Sequence, residues 1–167
     1  MCQIGDKVVH INGGVFIVQE IKKMNYGLGD TNYLILKPYF EDETNKTLIV
    51  YVPENKKNEF IKRVMSKEEA LKILEQIKTI EPLWYNDAKT RKDKFGELVR
   101  SRNIDNICIV VKSLYVKQLE LNEKNKSLNL LDYDYLNKLK KEIEEELAVS
   151  LNMSINEIKD YLKNYIN

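Results

Sequence analysis

The hydrophobic period changes once along this chain, near residue 65, and that change constrains the fold more than any other feature. Before it, apolar residues come in short runs rich in β-branched side chains. Lys7-Val8-Val9-His10 and Val15-Phe16-Ile17-Val18-Gln19-Glu20-Ile21 flank Asn12-Gly13-Gly14, a turn that permits positive φ. Residues 32–37 and 47–52 predict two more strands, with 25–30 and 41–45 as loops. Pro53 stops the fourth strand, and residues 60–64 form a candidate fifth. Short strands at this spacing predict a small β-barrel, since closure removes exposed edges.

After residue 65 the spacing becomes helical. Ser66-Lys67-Glu68-Glu69 reads as a capping box, and Leu71, Leu74 and Ile77 follow on one face. Pro82 interrupts. A second helix is predicted over about 85–101, and a third is capped by Asp105, with Ile109, Val110, Leu114 and Leu121 as its stripe. A fourth covers about 131–151, where residues 138–146 carry so many Lys and Glu that a solvated face is expected. Ser154 and Glu157 box a fifth, with Ile158, Leu162 and Ile166 inward. The prediction is an α+β chain in two modules: a barrel over 1–64 and an all-α bundle of about five helices over 65–167.

Composition narrows the function. No apolar run reaches the roughly 18 residues that a membrane helix needs, and the N-terminal residues lack a signal-peptide pattern. A cytoplasmic location is expected. Cys108 lies in an apolar run and reads as a buried small hydrophobe, Cys2 as a free thiol. Neither these cysteines nor the single histidine, His10, shows metal-ligand spacing, so no metal or cofactor is expected. Gly13-Gly14 lacks the Lys and following helix of a phosphate loop. Asp132 and Asp134 read as helix-start acids, and no nucleophile–base pairing stands out, so an enzyme is not expected. Lys and Arg total 27 against 26 Asp and Glu. A chain so balanced is not held on DNA by its overall field.

Several sequence words, in order, resemble the CarD/CdnL family of transcription regulators. They include Ile4-Gly5-Asp6-Lys7-Val8-Val9-His10, Tyr33-Leu34-Ile35-Leu36-Lys37 and Val50-Tyr51-Val52-Pro53-Glu54-Asn55. In the helical half they include Trp84, Arg91-Lys92-Asp93-Lys94-Phe95, Val110-Val111-Lys112-Ser113-Leu114-Tyr115 and Glu145-Glu146-Leu147-Ala148. The family's N-terminal part is shared with the polymerase-interacting domain of the transcription-repair coupling factor. The resemblance implies a Tudor-like barrel docked on the β subunit of bacterial RNA polymerase. It also implies a helical module at the upstream edge of the promoter bubble, where a tryptophan wedges into the minor groove and open-complex lifetime changes. Lys23, Met24, Ile49, Val50, Tyr51 and Pro53 are the implied polymerase contacts, beside Lys22 and Tyr26. Relatives carry arginines where this chain has Met24 and Tyr51, so apolar or backbone pairing would replace an ionic contact. Basic positions of the family fall here on Asn86, Asp87 and near Tyr133.

Each site residue also has a plainer reading. Trp84, beside Pro82, is either that wedge or a core aromatic locking two helices. Lys89, Arg91, Lys92, Arg100 and Arg102, with Lys94 among them, are either phosphate contacts or a solvated helix surface with pairs such as Lys89–Asp93. Tyr51 is either a docking residue or an ordinary strand aromatic. The expected partners are polymerase and, weakly, promoter DNA, with no membrane and a monomer as the simplest state. An adaptor that docks on polymerase without touching DNA is the alternative.

Overall fold

The structure, a computed structural model, describes residues 2–25 and 29–166, without the side chains of residues 165 and 166. Tyr26 and the side chain of Ile166 lie outside the described residues. The chain divides into two compact units, Met1–Met65 and Ser66–Asn167.

The first unit is a five-stranded antiparallel sheet. Its strands are β1 (Lys7–His10), β2 (Val15–Asn25), β3 (Asp30–Pro38), β4 (Val50–Pro53) and β5 (Ile61–Arg63). They pair in the order β4-β3-β2-β1-β5, and no ladder joins β4 to β5 among the described residues. By its hydrogen bonds the sheet is therefore open, where closure was expected. The gap between its end strands is occupied by the chain itself. A 3-10 turn (Glu54–Lys56) and a single-turn helix α1 (Lys57–Phe60) carry β4 into β5. The N–H of Ile11 donates to the carbonyl of Phe60 at 2.8 Å, tying that link to the end of β1.

One sheet can bury an apolar face without a second layer only by curling. Val8, Phe16, Val18, Leu34, Leu36, Val52 and Ile61 form one core, which thus draws on all five strands, both end strands included. A register shift between Val18 and Glu20 supplies a bulge, the usual device for bending a strand pair. Beyond it β2 and β3 continue as a hairpin past the core, where Lys22 and Lys23 are exposed. His10 is buried against Phe16, with ring centroids 5.5 Å apart. Burial holds its pKa below the ordinary 6.5, and its Nδ1 accepts from the N–H of Asn12, as a neutral imidazole does.

The second unit contains five helices among the described residues: α2 (Lys67–Thr79), α3 (Ala88–Arg100), α4 (Ile104–Glu123), α5 (Leu130–Leu151) and α6 (Ile155–Ile166). Both predicted capping boxes form. Ser66 and Glu69 exchange backbone and side-chain bonds at the start of α2, and Ser154 and Glu157 do so before α6. Asn103, not Asp105, caps α4, its side chain accepting from the N–H of Asp105 at 2.8 Å.

Helices α4 and α5 are central. Cys108 and the run 110–114 are buried on α4, and residues 143–148 are buried without a break on α5. Six consecutive buried positions exceed a full helical turn, so α5 is covered all round there. This overturns the expected solvated face: Glu144, Glu145 and Glu146 are buried at 4%, 5% and 4% exposure. Charge density alone suggested solvent, but packing of α4 and α6 against α5, and of α2 beside it, decided otherwise. Burial pushes the Cys108 thiol up to about 12, which makes it inert at neutral pH.

Candidate functional site

Two regions gather the residues singled out from sequence, one in each unit.

In the strand-rich unit the site is the end strand β4 and the protruding hairpin. Register brings them together. Lys22 pairs with Tyr33, and Tyr33 pairs with Pro53, so these three lie in a row across the sheet. Lys23 and Met24 sit one and two residues beyond that row, opposite Asn32 and Thr31. Two strand spacings, about 10 Å, separate the row's ends. The Asn32 amide donates to Glu54 at 3.0 Å, joining the hairpin to the residue after β4. Lys23 pairs with Asp30 at 2.9 Å, both exposed.

Along β4 the alternation is regular. Val52 is buried, Val50 packs on the core, and Tyr51 between them faces outward at 48% exposure. Ile49 and Leu48, just before the strand, are 42% and 44% exposed. Strand β4 begins at Val50, later than the predicted residue 47, so Ile49 precedes the ladder. Its outer edge is unpaired among the described residues and flanked by exposed apolar side chains. Such an edge can add a strand or a loop from a partner.

In the helical unit the site is the linker between α2 and α3, which carries Trp84. The linker is short and tied at both sides of the tryptophan. The N–H of Leu83 donates to Ser113 Oγ on α4 at 2.8 Å. The carbonyl of Tyr85 accepts from Arg91 Nη1 at 2.7 Å, and the Tyr85 ring meets the buried Phe95 edge-on at 5.9 Å. Asp87 caps α3, accepting from the N–H and hydroxyl of Thr90 at 2.7 and 2.8 Å. Those bonds hold its carboxyl below the usual range. The helix therefore starts at Ala88, not near Tyr85. Trp84 is half-buried, neither sealed in the core nor projecting freely. The Arg91 guanidinium carbon lies 4.3 Å from its ring centroid and Lys117 Nζ lies 5.2 Å from it.

Arg91 does not join the exposed basic residues. It is 4% exposed. Its Nε and Nη2 both donate to Asp132 Oδ2 at the start of α5, and Nη1 is taken by the linker carbonyls. Four of its five N–H donors are engaged inside the protein, and at 4% exposure the group is closed off from a phosphate in solvent. The reason is angular. Two residues apart on a helix are about 200° apart, so Arg91 points away from Lys89. Arg91 shares its face with Phe95, four residues on, and that spacing was the signal in the sequence. Asp132, read as a plain helix-start acid, is its partner.

Lys89, Lys92 and Arg100 are exposed on α3, and Arg102 is exposed just after it with φ 56°. Lys89 and Arg100 have nearly the same azimuth, about 16 Å apart along the axis. They make a stripe and not a cluster. Lys94 pairs with Glu97 at 3.2 Å. Leu130 and Leu131, next to Asp132, are 73% and 74% exposed.

A third place is structural. Lys112 Nζ donates to the carbonyls of Ile77 and Lys78 at 2.6 and 2.9 Å, capping the end of α2. Beside it Ile77, Val111, Ile143 and Leu162 wall an apolar cleft. No grouping of three or more His, Cys, Asp or Glu that could hold a metal ion occurs among the described residues. No helix among them is long and apolar enough to cross a membrane.

The first unit is thus a small curled β domain with an open, apolar-flanked edge. Residues 2–65 match the family model described as CarD-like/TRCF RID domain. The match ends just before α2, at the boundary between the two units. No curated protein matches the chain.

Proposed function

We propose that this chain is a non-enzymatic, cytoplasmic regulator of transcription that docks on the β subunit of bacterial RNA polymerase through its first unit and contacts promoter DNA through its second. The observation that carries the reading is the family match over residues 2–65. The curled sheet is then a Tudor-like barrel, and the docking surface is β4 with Lys23 and Met24 of the hairpin. Ile49, Val50, Tyr51 and Pro53 supply apolar contact and an open edge. In the second unit Trp84 meets a partly unstacked base step at the upstream edge of the bubble. Lys89, Lys92, Arg100 and Arg102 touch phosphates. Arg91 drops out of that set, because it is buried and four of its five donors are engaged inside the protein. A tether to polymerase compensates for a weak grip on DNA, which a net charge of +1 implies.

The test is the lifetime of the open complex formed by polymerase on a promoter, with the full chain and its Trp84→Ala variant. The variant is expected to bind polymerase normally and to lose most of the effect on lifetime. An unchanged lifetime would refute the DNA-contact half of the reading.

A second reading, an adaptor that binds another protein and no DNA, is favoured by Leu130 and Leu131, whose exposure on α5 suits protein contact. Footprinting of the polymerase–promoter complex with and without the chain separates the two.

A further inference from the structure

A side chain on a linker ordinarily keeps rotamer freedom that binding must remove. Trp84 is placed differently. The Arg91 guanidinium lies 4.3 Å from its ring centroid. The same guanidinium donates to the carbonyl of the next residue, Tyr85, at 2.7 Å. Ring and backbone are therefore held by one planar group. That group is seated in turn: Asp132 accepts from its Nε at 3.0 Å and also from Nη2. Asp132 is fixed by the amide of Asn129 at 2.7 Å and by its own N–H, which donates to Asn129 Oδ1 at 2.9 Å. A continuous set of contacts runs from the first turn of α5 through Asp132 and Arg91 to the indole. A five-donor fork can serve carboxylate, carbonyl and ring together, and an ammonium cannot.

We propose that Arg91, seated by Asp132, is a positioning residue that fixes the orientation of the Trp84 indole for its contact with opening DNA. The inference rests on the reading of Trp84 as a DNA contact. Arg91 itself touches no nucleic acid. A ring already held in its binding orientation gives up less freedom on contact, so the same apolar surface holds the open complex longer.

Trp84 is the only tryptophan, so indole fluorescence excited at the red edge, where the ten tyrosines do not absorb, reports this site alone. The double variant Arg91→Met/Asp132→Leu replaces a buried ion pair by apolar groups, a change that is often neutral or stabilising. Circular dichroism checks that it folds. Its acrylamide quenching constant is expected to rise roughly twofold, the population change that one lost cation–π contact implies, with lower anisotropy. Its open-complex lifetime should fall toward that of Trp84→Ala, and the triple variant with Trp84→Ala should have the lifetime of Trp84→Ala alone. Arg91→Lys keeps a cation near the ring without the fork and should lie between. Quenching equal to wild type in the folded double variant overturns the proposal. So does raised quenching with an unaltered lifetime, when Trp84→Ala shortens it. Should the double variant not fold, wild-type quenching in Arg91→Lys overturns it. If Trp84→Ala itself leaves the lifetime unchanged, the reading of Trp84 fails, and quenching alone still decides whether Arg91 orders the ring.

Discussion

Glu144 shows how packing can override the chemistry of a single residue. It belongs to a run of charge on α5 yet is 4% exposed, and its Oε1 is buried with no hydrogen-bond partner. Lys140 Nζ lies 3.8 Å from that oxygen, too far for a hydrogen bond. Burial raises the carboxyl's pKa above 4.5, while Lys140 and Lys159 only partly oppose it. The sign follows from linkage. Between 4.5 and the raised folded value, the folded state holds the proton and the unfolded state has released it. Stability is therefore lost as pH rises through that window and stays lower above it. Glu144→Gln is expected to raise the melting temperature at neutral pH and to match wild type below about pH 4.5. Thermal melts at several pH values check this; a lower melting temperature at neutral pH would show that the ionised form is held favourably.

At the scale of elements, the proposed docking surface falls on the end strand, which has a ladder on one side only. Tyr51 and Ile49 contribute little to the fold, being 48% and 42% exposed. Substitution there should change stability by no more than about 0.5 kcal/mol. Ile49→Lys with Tyr51→Lys is expected to leave the melting temperature within a few degrees of wild type. Apparent affinity for polymerase should weaken by about tenfold or more, as truncating an aromatic anchor does. Equal retention of both proteins on immobilised polymerase would move the docking surface elsewhere. The linker before α3 is the other decisive element. Its eight residues, 80–87, flank Trp84 with hydrogen bonds from Leu83 to Ser113 and from Arg91 to Tyr85 and with a ring contact of Tyr85 on Phe95, and none of these three partners neighbours it in sequence.

For the whole molecule, near-neutral charge and the family match confined to residues 2–65 fit the proposed division of labour. A fragment of residues 1–65 is expected to capture RNA polymerase about as well as the full chain. Residues 66–167 should show no retention on DNA alone near physiological salt, where few phosphate contacts give only weak binding. Pull-down and filter binding measure these two outcomes. A fragment 1–65 without affinity for polymerase at low salt would end the proposed tether.

Much of this architecture could be read from local spacing. Strand, turn and cap signals act over a few residues, so the β-to-α change near residue 65 and the boxes at Ser66 and Ser154 followed from the sequence alone. So did the inward placement of Leu74, Ile158 and Leu162, though Leu71, read on the same face as Leu74, is 46% exposed. What tertiary structure alone decided depends on partners far along the chain. Arg91 became a buried anchor because Asp132 lies 41 residues away. The glutamates of α5 were buried because other helices closed around them. The ends of the sheet were linked by α1 and not by a ladder. Periodicity tells which side of an element faces inward. It does not tell what stands on the other side, and that neighbour decides whether a charge meets water, a counterion or a ring.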